Sequence, residues 1–145
     1  MFKINDINST TELLVVTTPD CFFCKELLKN EKFNEMQIGM YLCFADYSAT
    51  LKMLNTLIFK SNDPFKAFKK LLNNEVFFDD IDYSKDPTLF LEKNAQTLKS
   101  VETIIGRVEI PMFLLIENGQ IIKQIQIPAP NPADVIYTTI LNEFI

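Results

Sequence analysis

The sequence predicts an α/β fold with a central mixed sheet, a helical insertion, and a C-terminal hairpin and helix. Three observations support this prediction: an apolar strand leads directly into a helix near the N terminus, residues 49–105 have helical periodicity, and a proline-led apolar hairpin follows them. With 145 residues, 48% of them hydrophobic, the chain is long enough to bury a core of ordinary size. We therefore expect a single domain over residues 1–145, with the helical insertion at about residues 49–105.

The first half of the predicted sheet comes from two apolar runs on either side of a helix. Residues 12–17 contain the continuous run Leu13-Leu14-Val15-Val16, which is typical of a strand that is covered on both faces. A helix is expected over residues 22–32, and residues 40–46 form a second strand that is nearly all apolar. We expect this second strand to lie near the centre of the sheet.

The insertion is predicted to form three helices. The first has apolar side chains at helical spacing: Leu51, Leu54, Leu57 and Ile58. The second starts at Asp63-Pro64, where the aspartate can cap the helix and the proline suits its first position. The third has the same Asp-Pro start, at Asp86-Pro87, and is terminated by Gly106. We expect the apolar stripes of these helices to pack against the sheet.

The C-terminal part changes from helical to strand periodicity. Residues 111–116 form a predicted strand, Asn118-Gly119 a tight turn, and residues 121–127 the return strand. Asn-Gly between two apolar runs is a strong signal for a hairpin. Prolines interrupt the chain after the hairpin, and Asn131-Pro132 begins a final helix that ends near Phe144.

Two cysteines, Cys21 and Cys24, stand where the first strand passes into the first helix. Their spacing allows a small disulfide ring at the first helical turn. The unpaired backbone N–H groups and the positive end of the helix dipole favour a thiolate on the first sulfur there. This arrangement meets the physical requirement for thiol–disulfide exchange.

The same spacing also occurs as half of a zinc site, or as two unrelated buried cysteines. A structural zinc site needs about four ligands, usually Cys and His, whereas this chain has no histidine and one further cysteine, Cys43. Cys43 lies in the apolar run of the second strand, and we expect it to be an inert buried thiol. A redox pair is therefore the favoured interpretation, with a metal site and a structural pair as the alternatives.

Composition argues against several other functions. Without histidine a serine–histidine hydrolase triad is excluded, and three isolated glycines provide no Gly-rich phosphate loop. The net charge of −5, with scattered lysines, argues against nucleic acid as a partner. No apolar run is long enough for a secretory signal or a membrane span, so we expect no stable membrane insertion. The location is expected to be periplasmic if a leader has been removed, and cytoplasmic if Met1 is native.

Two motifs together resemble the thioredoxin fold: Cys21-Phe22-Phe23-Cys24 near the start of the chain and Glu109-Ile110-Pro111-Met112 before the hairpin. The helical stretch at residues 58–72 and the proline-rich segment at residues 127–132 are similar to the catalytic domain of the DsbC/DsbG disulfide isomerases. The resemblance covers roughly residues 12–144. It implies a thioredoxin-like fold with the helical insertion between the second strand and the cis-proline strand.

The resemblance also implies roles for individual residues. Pro111 would form a cis peptide bond after Ile110 and face the cysteine pair, and the backbone of Ile110 would pair with an extended substrate peptide. Cys21 would be the nucleophile, and Cys24 would resolve the mixed disulfide. Cys21, Cys24 and Pro111 are accordingly the candidate catalytic residues.

The two aromatic residues between the cysteines are candidates for substrate binding together with Ile110. Phe22 and Phe23 are expected to present apolar surface to unfolded substrates, although packing of the Phe23 ring into the protein is an equal alternative. We expect neither a metal nor any cofactor beyond the cysteine pair.

The chain also departs from that family in several ways. Only eleven residues precede the first strand, so the dimerisation domain of those isomerases is missing and we expect a monomer. The Phe-Phe pair between the cysteines differs from the usual family pairs, so the redox potentials of those isomerases cannot be transferred to this chain. Val15 occupies the position where thioredoxins bury an aspartate. Proton transfer to Cys24 would therefore have to use water or another group, and Asp46 is the suggested group.

The leading hypothesis is a thiol–disulfide oxidoreductase that acts on cysteine-containing protein substrates and is reset by a redox partner protein. A cytosolic thioredoxin-like reductase is a second enzyme hypothesis. A redox-inert binding module or thiol metal carrier with the same fold is the alternative from another class.

Overall fold

The computed structural model describes residues 2–29, 35–75, 78–127 and 133–144. The strands are β1 (Phe2–Lys3), β2 (Thr11–Thr17), β3 (Met40–Phe44), β4 (Met112–Glu117) and β5 (Gln120–Gln124). The helices are α1 (Phe22–Lys29), α2 (Ala49–Lys60), α3 (Pro64–Leu72), α4 (Thr88–Ile105) and α5 (Ala133–Asn142), with a short 3-10 turn at Phe78–Asp80. The predicted start of the last helix at Asn131-Pro132 lies outside the described residues, as do the prolines after the hairpin and the predicted end of the first helix.

The strands form one mixed sheet in the order β1-β3-β2-β4-β5. The central strand β2 runs parallel to β3 and antiparallel to β4. β1 adds an antiparallel edge beside β3. Sequence reasoning did not find β1, because a two-residue strand has no periodicity to detect.

Both faces of the sheet are covered, as the continuous apolar run in β2 predicts. Leu13 and Val15 point into one core, and Leu14 and Val16 point into the other. Buried side chains of α1, α2, α3 and α5 close the first core: Leu27, Ile58, Phe59, Phe68, Leu72, Ile136 and Ile140. Val101 of α4 closes the second core. The predicted insertion therefore supplies helices to both faces of the sheet.

Local signals set several of the described helix ends. The Asp63 side chain accepts a hydrogen bond of 3.1 Å from the backbone N–H of Lys66, and Pro64 is the first residue of α3. Gly106 follows α4 with a left-handed φ of 93°, which glycine adopts without steric cost. The start of α4 differs from the prediction that Asp86 caps the helix and Pro87 is its first residue. Pro87 occupies the cap position, and the Asp86 side chain accepts a hydrogen bond of 3.0 Å from the N–H of Thr88.

The predicted Asn-Gly turn joins β4 to β5. Asn118 and Gly119 both have positive φ values, 52° and 76°, as a type I′ turn requires. Such a turn matches the twist of the flanking strands, and Glu117 pairs with Gln120 directly across it. The hairpin therefore holds β4 against β2 in a defined register.

Asn94 joins the insertion to the sheet from the middle of α4. Its side-chain NH2 group donates to the carbonyl of Phe44 at 2.6 Å, and its side-chain oxygen accepts the N–H of Phe44 at 2.8 Å. On the opposite side of the same segment, the side-chain NH2 of Asn55 donates to the carbonyl of Ala45 at 3.1 Å. Asn94 and Asn55 are both buried. These two amides fix the end of β3 and the loop that follows it.

We expect Asn94→Leu to lower the free energy of unfolding by about 2–3 kcal/mol, since the change removes two hydrogen bonds to buried backbone atoms. Urea unfolding followed by far-UV circular dichroism measures this loss. The matched control is Gln96→Leu, an exposed polar residue on the same helix, which is expected to change stability by less than about 0.5 kcal/mol. Equal unfolding midpoints for the two variants would contradict the role given to Asn94.

Candidate redox site

Cys21 and Cys24 form a disulfide at the start of α1, with their Cα atoms 5.3 Å apart. Cys21 immediately precedes the helix, and Cys24 lies within its first turn. The loop that leads to them is short: β2 ends at Thr17, and the N–H of Cys21 donates to the carbonyl of Thr18 at 3.2 Å. The pair is therefore attached directly to the C-terminal end of the central strand.

Cys21 acts as the cap of this helix. Its carbonyl accepts a hydrogen bond of 3.2 Å from the N–H of Lys25, and its Sγ accepts one of 3.2 Å from the N–H of Cys24. A side-chain acceptor on the third amide of a helix satisfies one of the free N–H groups of the first turn. When the pair is reduced, this amide and the helix dipole favour negative charge on the Cys21 sulfur.

The two cysteine residues are both buried but differ in exposure. The exposed fraction is 9% for Cys21 and 2% for Cys24. Cys21 therefore lies nearer to solvent, and Cys24 lies deeper in the protein. An incoming thiol can therefore reach the Cys21 sulfur more easily than the Cys24 sulfur.

Thr17, the last residue of β2, contacts the inner sulfur. Its hydroxyl donates to Cys24 Sγ at 2.7 Å, and its exposed fraction is 1%. The sequence places Val15 at the position where thioredoxins bury an aspartate, and in this structure Val15 lies in the apolar core. Thr17 was missed, because an isolated threonine at the end of a strand carries no motif.

The peptide bond between Ile110 and Pro111 is cis. β4 begins one residue later, and Met112 pairs with Val16 in the antiparallel register of β2 and β4. One further step along this register brings Pro111 opposite Thr17. The cysteine pair and the proline are therefore at the same edge of the sheet, although about 90 residues of sequence separate them.

A groove of about 410 Å³ begins at this edge, between the loop after β3 and helix α4. Its apolar lining includes Tyr47, Val108 and Ile110. Tyr47 is 73% exposed and Val108 is 37% exposed. Asp46, the suggested proton carrier for Cys24, also lines this groove.

A small polar cluster holds the segment before Pro111 against the last strand. Arg107 donates to Glu109, and the side-chain amide of Gln124 in β5 donates to the same carboxylate at 3.0 Å. The hydrogen bond from Arg107, followed by that from Gln124, lowers the pKa of Glu109 below its usual value. The two donors therefore favour the ionised form of Glu109, which accepts both hydrogen bonds.

Phe22 and Phe23 occupy the first turn of α1, but their side chains lie outside the described residues. Their assignment as substrate-binding residues remains a prediction. The backbone shows only that both belong to the helix that carries the cysteine pair.

Cys43 is separate from the redox pair. It is fully buried in the second core, and its thiol donates to the carbonyl of Asn94 at 3.6 Å. Burial raises the pKa of the Cys43 thiol to about 12.

Within the described ranges there is no cluster of three or more His, Cys, Asp or Glu side chains that could hold a metal ion. In the same ranges no helix is both long enough and apolar enough to span a bilayer.

Several solved structures resemble the chain in fold. The crystal structure of alpha-DsbA1 from Wolbachia pipientis matches with a TM-score of 0.57 at 14% sequence identity, over 80% of this chain and 74% of that chain. The crystal structure of a disulfide interchange protein from Neisseria gonorrhoeae matches with a TM-score of 0.57 at 19% identity, over 97% of this chain and 94% of that chain. No family model matches the chain, and no curated protein matches it in sequence.

These similarities establish the fold as thioredoxin-like α/β, as the sequence predicts. One of these structures is named as a DsbA protein and the other as a disulfide interchange protein, and the DsbC/DsbG-like part of the resemblance is not supported by them. At identities below 20% they inform the fold alone. The chemistry of this chain therefore depends on the residues of its own site.

We expect Cys43 to be unreactive toward thiol reagents in the folded protein. In the double variant Cys21→Ser/Cys24→Ser, a thiol with a pKa of about 12 is ionised in roughly one molecule in ten thousand at pH 8. Labelling with iodoacetamide at pH 8 should therefore be at least about a hundredfold slower in buffer than in urea. Reduced wild-type protein is the positive control, since Cys21 should label readily. Fast labelling of the folded double variant would contradict this account of Cys43.

Proposed function

We propose that this chain is a thiol–disulfide oxidoreductase that exchanges disulfides with cysteine-containing protein substrates and is reset by a redox partner protein. The observation that carries the proposal is the hydrogen bond from the Cys24 amide to the Cys21 sulfur at the helix N-terminus. A sulfur in this position is the better nucleophile and the better leaving group of the pair, since its thiolate is stabilised before any substrate arrives.

The exchange proceeds in two balanced steps. A substrate thiolate attacks Cys21 Sγ, the bond between the two cysteine sulfurs breaks, and its electron pair passes to Cys24 Sγ. A second substrate thiolate then attacks the substrate sulfur of the mixed disulfide and releases Cys21 as a thiolate. The substrate dithiol is oxidised and the Cys21–Cys24 disulfide is reduced by two electrons. The same steps in reverse reduce a substrate disulfide, with Cys24 resolving the mixed disulfide.

The substrate peptide is proposed to lie across the Ile110–Pro111 segment. Proline has no N–H, so the free backbone of the preceding residue is the group available for an extended peptide at the start of a strand. Tyr47 and Val108 extend this segment into an apolar groove, which suits the apolar side chains that unfolded proteins expose. Lys99 and Glu102 of α4 also line this groove.

A redox-inert binding module or a thiol metal carrier is the alternative with the same fold. Both alternatives predict stoichiometric binding without catalysed exchange. An isomerase, an oxidase and a reductase differ in which exchange they perform, and the reduction potential of the pair distinguishes a strong oxidant near −120 mV from a reductant near −270 mV. Equilibration with glutathione buffers gives this potential.

Cys24→Ser should trap substrates as mixed disulfides on Cys21, since the residue that releases them is absent. Incubation of the reduced variant with a denatured, disulfide-containing protein, followed by alkylation and non-reducing electrophoresis, should show a covalent adduct that dithiothreitol removes. The matched control is Cys21→Ser, which leaves the buried sulfur and should form about tenfold less adduct, an estimate based on its restricted access. Absence of an adduct on Cys24→Ser would leave the binding module as the better explanation.

Tyr47→Ser should lower kcat/KM for an unfolded-protein or peptide substrate by about five- to tenfold, the usual cost of truncating a contributing aromatic contact. The rate of reduction by dithiothreitol should not change, because a small thiol does not use the groove. Tyr83→Ser is the matched control: Tyr83 is also highly exposed, at 66%, but lies in the turn between α3 and α4. An equal loss in both variants, or in neither, would remove the groove from substrate binding.

A further inference from the structure

The inner sulfur of the pair has a hydroxyl donor that the sequence motifs do not include. Thr17 Oγ1 lies 2.7 Å from Cys24 Sγ, whereas its other acceptor, the carbonyl of Thr18, is 3.4 Å away. One hydroxyl proton can serve only one acceptor well, and the shorter contact is the one to sulfur. Thr17 and Cys24 are 1% and 2% exposed, so water has little access to compete for this bond.

The chemistry of the site creates a need for such a donor. When a thiolate opens the disulfide at Cys21, the electron pair passes to Cys24 Sγ, and a negative charge develops on a buried atom. A buried charge without a hydrogen-bond donor is costly. The amide of Cys24 already donates to the other sulfur, Cys21 Sγ. Val15, two residues before Thr17 on the same strand, is apolar, and its side chain has no hydrogen to donate.

We propose that Thr17 is a catalytic residue of the exchange reaction, and that its hydroxyl stabilises the Cys24 thiolate as this thiolate leaves. The inference rests on the proposed function and adds to it. The proton remains on Thr17 Oγ1 throughout: the hydroxyl donates a hydrogen bond that strengthens as charge develops, and no bond to oxygen forms or breaks. A donor held in place before the reaction needs no reorganisation during it, which makes the interaction effective in a dry site.

The position of Thr17 explains how the donor is held. It pairs with Phe44 in the parallel register of β2 and β3, and its carbonyl accepts the N–H of Ala45 at 2.9 Å. The backbone of Thr17 is thus anchored to the neighbouring strand. Its hydroxyl is therefore held beside Cys24 Sγ before the disulfide opens.

Three variants test the proposal. Thr17→Val keeps the shape and β-branching of the side chain and removes the hydroxyl, whereas Thr17→Ser keeps the hydroxyl and removes the methyl group. Thr11→Val makes the same change at the other end of β2, where Thr11 pairs with Glu117. The reaction is the opening of the Cys21–Cys24 disulfide by dithiothreitol at pH 7, measured by acid quench, alkylation and mass spectrometry.

Thr17→Val should open about five- to tenfold more slowly than the wild type, the effect expected for part of one hydrogen bond to a charged atom. Thr17→Ser and Thr11→Val should open at the wild-type rate within about twofold. Urea unfolding of the oxidised proteins supplies a second readout: a hydroxyl with a purely structural role would lower stability in Thr17→Val without changing the opening rate. That result, or equal opening rates for Thr17→Val and Thr17→Ser, would overturn the proposal.

The same experiment separates a failure of the role proposed for Thr17 from a failure of the proposed exchange function. If the wild-type disulfide opens no faster than that of oxidised glutathione, the exchange function fails whatever the variants do. If the wild type opens faster and Thr17→Val keeps its rate, the exchange function stands and the role of Thr17 is refuted.

Discussion

The pairing of β2 along both of its edges is the constraint on which the rest of the structure depends. Thr17 is the last residue of this strand, paired with Phe44 on one side and one register step beyond the Val16–Met112 pair on the other. The strand is buried on both faces, so its C-terminal end has little freedom to move. The loop carrying the cysteines, the loop after β3 and the segment before β4 all meet at this end, which is how a rigid scaffold positions reactive loops.

The two sulfurs of the pair lie in different environments, and these environments derive from different parts of the fold. Cys21 Sγ accepts an amide N–H from the first turn of α1, whereas Cys24 Sγ accepts the hydroxyl of Thr17 from β2. A chain without histidine has no imidazole to accept or donate protons near neutral pH. The two sulfurs instead accept hydrogen bonds from a backbone amide and a hydroxyl, whose hydrogen-bonding capacity does not depend on pH in that range.

Much of the architecture could be predicted because its signals are local. The continuous apolar run of β2, the Asn118-Gly119 turn and the Gly106 helix end each follow from a few adjacent residues, and the structure has all three. The same reasoning missed β1, which exists only because β3 offers an edge for it. It also favoured the DsbC/DsbG isomerases within the thioredoxin-like fold, a distinction that the similar solved structures do not support.

The sequence by itself determined the order of the strands and helices after β1, the position of the cysteine pair at a helix start and the proline before the hairpin, because spacing and turn chemistry act over short distances. Only the tertiary structure decided what surrounds them. The bond from Thr17 to Cys24, the bidentate contact of Asn94 with Phe44 and the groove beside Ile110 all join residues from different elements. Such contacts depend on strand register and helix placement, and a single side chain leaves no periodic pattern from which to infer them.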